Sequence, residues 1–203
     1  MKKAIIFGIN GMDAKTLTHF LLAKDYEVVG TYRRNTLDTK VEIAPLFGHD
    51  ERVKFEYCDV NDFSSVKELL TKHVDASEVY LLAAQSHVGI SFSSASTSMQ
   101  NGASAFNVLE NVKNINLAAR VYFAGTSELM GGESPPEKGY NEQSEYDCRS
   151  PYAIGKELGT RWIKYYRQLG LFCCYGILFN HSTMLVPFDY ANIYLCILLN
   201  KLV

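Results

Sequence analysis

Two short patterns could carry chemistry in this chain: Thr126-Ser127-Glu128, and Tyr152 followed four residues later by Lys156. A phenol and an ammonium at that spacing share one face of a helix. Such a pair can lower the pKa of the tyrosine and make it a base near neutral pH. Glu128 adds a carboxylate, a second and separate acid/base group. Simple hydride transfer needs one base; removal of water from a sugar needs at least one more proton-transfer group. Each residue also has a bland reading: Thr126 as a helix N-cap, Glu128 as a solvated loop acid, and Tyr152 with Lys156 as chance neighbours.

These groups need a frame. Strands are expected at Ala4–Phe7, Glu27–Tyr32, Val53–Tyr57, Val79–Leu82, Val121–Ala124 and Leu171–Leu178. Helices are expected at Asp13–Lys24, Phe63–Lys72, Thr97–Val112 and Pro151–Leu169. Asn61-Asp62 offers capping residues before the second helix, and Pro151 suits a helix start because its missing N–H costs nothing there. Alternating β and α units predict an α/β fold, a doubly wound parallel sheet covered on both faces. Asn35–Glu51 and Gly131–Arg149 read as loops. In such sheets the carboxyl ends of the strands face the ligand crevice, which is where Thr126, Ser127 and Glu128 fall.

The first strand runs into Gly8-Ile9-Asn10-Gly11-Met12-Asp13-Ala14. Glycines between a first strand and first helix let backbone N–H groups approach a pyrophosphate. An ordinary strand-to-helix turn is the alternative. Arg33 and Arg34 end the second strand, where an NAD site usually carries an acid. Arginine there favours the 2′-phosphate of NADP, against the alternative of two solvated surface residues. Asp59 is placed to hydrogen-bond an adenine amino group, or to serve as a cap or loop acid. Ala83-Ala84-Gln85 follow the fourth strand, small enough for backbone to lie against a cofactor. His49 and His73 read as surface residues without a role.

Composition limits the rest. The 203 residues carry a formal charge of −2, with 47% hydrophobic and 21% charged residues. This is ordinary for a globular protein and gives no basic field for nucleic acid. The five cysteines show no metal-ligand spacing and read as reduced thiols of a cytoplasmic protein. Cys173 and Cys174, if in a strand, face opposite ways. No apolar run is long enough to cross a membrane, and the N-terminal run is too short for a signal peptide. No metal site is expected.

Together these motifs resemble the extended short-chain dehydrogenase/reductase family, and within it the GDP-mannose 4,6-dehydratases. The resemblance rests on Gly8 to Asp13, Gly30-Thr31-Tyr32-Arg33-Arg34, Leu82-Ala83-Ala84-Gln85-Ser86-His87-Val88, Thr126 to Leu129, Arg149 to Ala153, and Gly176 to His181. It implies a Rossmann-type fold and NADP as cofactor. Gly8, Asn10, Gly11, Met12, Asp13, Arg33, Arg34, Asp59, Val60, Leu82, Ala83, Ala84, Ser86, Tyr152, Lys156, Asn180 and His181 would hold that cofactor. It implies GDP-mannose or a related nucleotide sugar as substrate, touched by Ser86, Ser127 and Asn180, and a homo-oligomer. In the implied mechanism Tyr152 deprotonates the sugar 4-hydroxyl as hydride leaves C4. Glu128 removes the C5 proton and helps water leave C6, and Thr126 hydrogen-bonds the 4-oxygen. The alternatives are a non-catalytic NADP-binding module, or another nucleotide-sugar dehydratase or epimerase. Epimerases usually lack a glutamate at the Glu128 position.

The sequence departs from the pattern at Asn10, Ala14 and Met130. After His181 the resemblance stops at Ser182-Thr183-Met184-Leu185. We therefore expect an NADP-binding domain with the catalytic residues over 1–182, and over 183–203 a divergent tail or remnant of a substrate lobe otherwise missing.

Overall fold

The structure, a computed structural model, describes residues 1–33, 43–131, 137 and 139–181. Six strands form one parallel sheet: β1 (Lys2–Phe7), β2 (Tyr26–Tyr32), β3 (Val53–Tyr57), β4 (Glu78–Leu81), β5 (Arg120–Ala124) and β6 (Cys173–Gly176). Their order is β3-β2-β1-β4-β5-β6, the doubly wound arrangement expected, with the order of winding reversing between β1 and β4. In register, Ile5 of β1 lies beside Val29 of β2 and Val79 of β4. The helices are α1 (Met12–Ala23), α2 (Phe63–Lys72), α3 (Val88–Ser93), α4 (Ala95–Ile115) and α5 (Pro151–Gln168).

Strand alternation sorts the core onto two faces. Ile5 and Phe7 join Val79, Leu81, Val121 and Phe123 beneath α2, α4 and α5, where Val108, Leu109, Ile163 and Tyr166 meet them. Ala4 and Ile6 join Val28 on the opposite face beneath α1, against Leu17, Leu21 and Phe47. Full burial of a large apolar side chain contributes ~1.5–3 kcal/mol relative to exposure, so the fully buried Phe7, Phe123 and Ile163 are strong determinants of the layering. Helices α4 and α5 approach closely because Gly155 has no side chain: a Cβ there would overlap the backbone carbonyl of Ser98.

Helix ends follow the local rules. Asp62 caps α2 by accepting from the N–H groups of Ser64 (2.8 Å) and Ser65 (3.3 Å). Ser150 caps α5 by accepting from Ala153 N–H at 3.1 Å, with Pro151 opening the helix. Helix α4 carries buried asparagines on its inner face. Asn107 donates to the Val60 carbonyl (3.0 Å) and Asn111 to that of Phe63 (3.3 Å). The first satisfies a loop carbonyl, and the second ties α4 to the first turn of α2.

Several expectations need correction. The stretch Leu171–Leu178 contains only the four-residue β6, because pairing with β5 ends at Ala124–Gly176. The Asn35–Glu51 loop includes a 3-10 turn at Ala44–Phe47, ending on the left-handed Gly48. His73 is not at the surface: it is 6% exposed and its Nε2 lies 2.8 Å from a Glu56 carboxylate oxygen. Cys173 is buried and Cys174 half-buried, as opposite strand faces require; Cys58, Cys148, Cys173 and Cys174 are free thiols. Arg34, Cys196 and the 183–203 segment lie outside the described residues. Among those described, no helix is long and apolar enough to cross a membrane and no cluster of metal ligands occurs.

Candidate functional site

A cleft of about 390 Å³ opens at the carboxyl ends of β1, β2 and β4, where the sheet order reverses. Of the expected cofactor residues, Gly8, Asn10, Gly11, Arg33, Val60, Leu82, Ala83 and Ala84 line it. Its floor depends on Gly8, whose φ is +92° and whose missing Cβ would lie 2.8 Å from Ala83 Cα. The β1–α1 turn and the β4 loop therefore touch through backbone. The turn is tied to β2, with Ile9 N–H donating to the Thr31 carbonyl at 2.9 Å, and Gly11 N–H bonds Gly8 O at 3.0 Å. Gly11 is the N-cap of α1 and supplies no side-chain cap. Helix amides so presented suit an anion.

The far wall escaped the sequence reading. Thr97, Gln100, Asn101 and Ser104 of α4 line it together with Gln85. Asn101 holds the β4 loop through both ends of its amide: Nδ2 donates to Gln85 O and Oδ1 accepts from Gln85 N–H, each at 3.0 Å. Gln85 Oε1 is buried with no hydrogen-bond partner among the described residues. The only sequence signal was polar residues recurring on the inner face of α4.

Other expected residues sit elsewhere. Asp59 does not line the cleft; one carboxylate oxygen accepts from Asn61 N–H at 3.0 Å, so it closes a local turn while Cys58, Val60 and Asn61 face the cavity. Met12 and Ser86 also fall outside the lining, and Ser86 and Asn180 are exposed. His181 does not reach into the cleft. Its Nε2 lies 2.9 Å from Asp13 Oδ1 and its Nδ1 2.6 Å from the Phe179 carbonyl.

The proton-transfer residues gather at the end of β5 and the first turns of α5. Thr126 is buried and its hydroxyl accepts from Glu128 N–H at 3.2 Å, so it is the N-cap of the 3-10 turn Ser127–Met130. Ser127 N–H donates to Leu178 O at 2.7 Å, while Glu128 is exposed. Tyr152 is 7% exposed. Burial pushes its phenol up, a hydrogen bond with Thr126 offsets part of this, and the Glu128 charge adds to the rise. Lys156 does not lower it here. The ammonium points to the Ala124 carbonyl, 2.7 Å away, and lies 5.9 Å from the centre of the Tyr152 ring. Buried to 3% exposure, Lys156 itself is pulled down to about 8 by desolvation.

Comparison with known proteins identifies this architecture. Residues 5–200 match the family model described as GDP-mannose 4,6 dehydratase. The chain belongs to the GDP-mannose 4,6-dehydratase family. That match continues past His181, where the motifs of the sequence reading end. Among relatives, GDP-mannose 4,6 dehydratase 1 of Arabidopsis thaliana is 37% identical over 90% of this chain and 52% of its own length. GDP-mannose 4,6-dehydratase of Vibrio cholerae serotype O1 is 38% identical over 90% of this chain and 50% of its own. The chain thus spans about half the length of the curated relatives it matches. In fold it is similar to the UDP-Glc/GlcNAc 4-epimerase of Campylobacter jejuni (TM-score 0.76, 21% identity, 89% of this chain and 54% of that one). It is also similar to the dTDP-glucose 4,6-dehydratase DesIV of Streptomyces venezuelae (TM-score 0.73, 23% identity, 85% and 54%).

Proposed function

We propose that this chain carries the cofactor-binding and proton-transfer machinery of a GDP-mannose 4,6-dehydratase that uses NADP. The observation that carries the reading is the grouping of Tyr152, Thr126 and Glu128 at the carboxyl end of β5, on the same edge of the parallel sheet as the cleft floored by Gly8 and Gly11. The cleft suits a dinucleotide on its own features: the lack of a Cβ at Gly8 lets the β1–α1 turn lie against the Ala83 backbone, and Gln85 Oε1 is a buried acceptor without a partner among the described residues. DesIV was solved with NAD bound. NADP is favoured here because Arg33 lies in the cleft at the end of β2.

When bound, the nicotinamide ring would take hydride from one sugar carbon and return it to another. The chain's own groups then move protons. Tyr152 takes the proton of the sugar 4-hydroxyl, and Thr126, already beside the phenol, hydrogen-bonds the same oxygen. Glu128, exposed and separate, takes the C5 proton and passes one to the departing C6 oxygen. Lys156 is held by the Ala124 carbonyl, its ammonium 5.9 Å from the centre of the Tyr152 ring. The product would be the 4-keto-6-deoxy nucleotide sugar.

The test is titration of the full chain with NADP and NAD, then with GDP-mannose on the loaded protein, followed by product detection. Tyr152→Phe should bind NADP normally and lose at least a hundredfold in turnover; unchanged turnover refutes the base assignment. A second reading, a cofactor-binding module without turnover, draws on the half-length match and the exposure of Glu128. It predicts NADP binding with no uptake of GDP-mannose. Self-association also remains a proposal, centred on the aromatic band of Phe63, Phe106, Trp162 and Tyr165; light scattering on dilution tests it.

A further inference from the structure

His181 follows β6 at the far end of the described chain, yet it meets the first turn of α1. Its two ring nitrogens both face acceptors: Nδ1 the Phe179 carbonyl at 2.6 Å, and Nε2 the Asp13 carboxylate at 2.9 Å. A carbonyl can only accept, so Nδ1 carries a proton. With Asp13 ionised, Nε2 must carry one too, and the ring is an imidazolium. The contact is sheltered, with side-chain exposures of 13% for His181 and 31% for Asp13. No ring N–H remains to reach a ligand.

Asp13 is the acid in the first turn of α1, the helix whose Gly11 N-cap leaves its amides without a side-chain cap. A carboxylate there is favourable for the free helix. For a helix end that receives a phosphate, the same charge is repulsive. His181 is the cation that answers it. Tyr122 of β5 also feels the Asp13 charge. Arg33, also at the cleft, sits at the end of β2.

We propose that His181 is a positioning residue that acts through Asp13. As an imidazolium it neutralises the acid at the N-terminus of α1 and pins the segment after β6 to that turn, so that the helix end accepts a dinucleotide phosphate. The inference rests on the cofactor reading above, but its first test does not. In the free full-length chain, the His181 ring should titrate above its ordinary value of about 6.5, as its hydrogen bond to Asp13 implies. Asp13→Asn should bring the titration back down. Nuclear magnetic resonance of the ring protons reads both, and an unshifted His181 overturns the pairing whether or not any cofactor binds.

The second test is a cycle of Asp13→Asn, His181→Gln and the double variant, titrated calorimetrically with NADP. Thermal unfolding of each variant serves as a check on folding. His181→Gln should weaken NADP about tenfold, and that loss should vanish in the Asp13→Asn background. An equal loss in both backgrounds would mean that His181 acts on the cofactor directly, and overturns the proposal. If the wild-type chain binds no NADP, the cofactor reading fails, while the titration in the free chain still decides whether the pair exists.

Discussion

Replacing Gly8 with alanine isolates the close approach that shapes the cleft. Gly8 has φ +92°, and a Cβ would lie 2.8 Å from Ala83 Cα and 2.9 Å from Ala83 N. The left-handed conformation costs an L-residue ~1–2 kcal/mol, and overlap with backbone that cannot rotate away adds ~1–3 kcal/mol. The stiffer unfolded chain offsets ~0.4–1 kcal/mol, leaving a net loss of roughly 1–4 kcal/mol. For a chain of this size that lowers Tm by about 2–16 °C. Gly170 supplies the control: its φ is +89°, almost the same, but nothing lies within 4 Å of its virtual Cβ. Gly170→Ala pays the conformational term alone, and should leave dinucleotide affinity unchanged. Thermal unfolding by circular dichroism and titration with NADP read both variants. If Gly8→Ala and Gly170→Ala lose the same stability and Gly8→Ala binds NADP normally, contact between the β1–α1 turn and the β4 loop is not what makes the cleft.

Lys156 gives a pH signature. Its folded value of about 8 lies below the usual 10.5, so the unfolded chain binds more protons between those values. Relative to Lys156→Met, wild-type stability should therefore climb by up to about 3 kcal/mol from pH 8 to 10.5, measured by urea unfolding; a flat difference refutes the burial argument. Taking the difference cancels the buried tyrosines and cysteines that titrate in the same range. Asn101→Ala removes both bonds to the Gln85 backbone and should cost ~2–3 kcal/mol together with NADP affinity. Loss of stability with unchanged affinity would show that the β4 loop holds its shape without the asparagine.

The fold was legible because its signals are local. Val53–Tyr57 and Phe63–Lys72 match the expected bounds, since an alternating apolar and charged strand followed by Asn61-Asp62 states both the stop and the restart. Helix α3 was missed: its six residues include the exposed Ile90 and Phe92, and give no periodic stripe. The glycine turn and Ala83-Ala84, which line the cleft, were legible because backbone that must pass close to backbone demands small residues at fixed chain positions. Asn101 was missed because its partner is 16 residues away, and Lys156 was misjudged because its partner, the Ala124 carbonyl, is 32 residues away. Spacing placed Tyr152 and Lys156 on one helix face, but spacing carries no account of desolvation. Burial of both groups moves the phenol up and the ammonium down, each towards its neutral form.

The described residues divide the proposed work unevenly. Among the described residues the cleft is lined by those between Gly8 and Ser104, on strands and helices that pack on both sides of the sheet. Tyr152, Thr126 and Lys156 are each less than 9% exposed and each hydrogen-bonded or in contact with a neighbour that fixes it. Glu128 differs: the residue is exposed, and its backbone N–H is held by the Thr126 hydroxyl. A base that must take a weakly acidic carbon-bound proton works best where water is excluded. Oxidation at the Tyr152 centre therefore needs only parts that the described fold already holds rigid, whereas loss of water needs Glu128 to be covered. If the loaded chain accepts a nucleotide sugar yet does not release water, the uncovered Glu128 is the step to repair, and Tyr152 should still take the 4-hydroxyl proton while hydride from C4 reduces the cofactor. Reduced cofactor appearing on addition of GDP-mannose, without 4-keto-6-deoxy product, would be the direct sign of that division; product formation at a full rate would show that Glu128 is covered when substrate is bound.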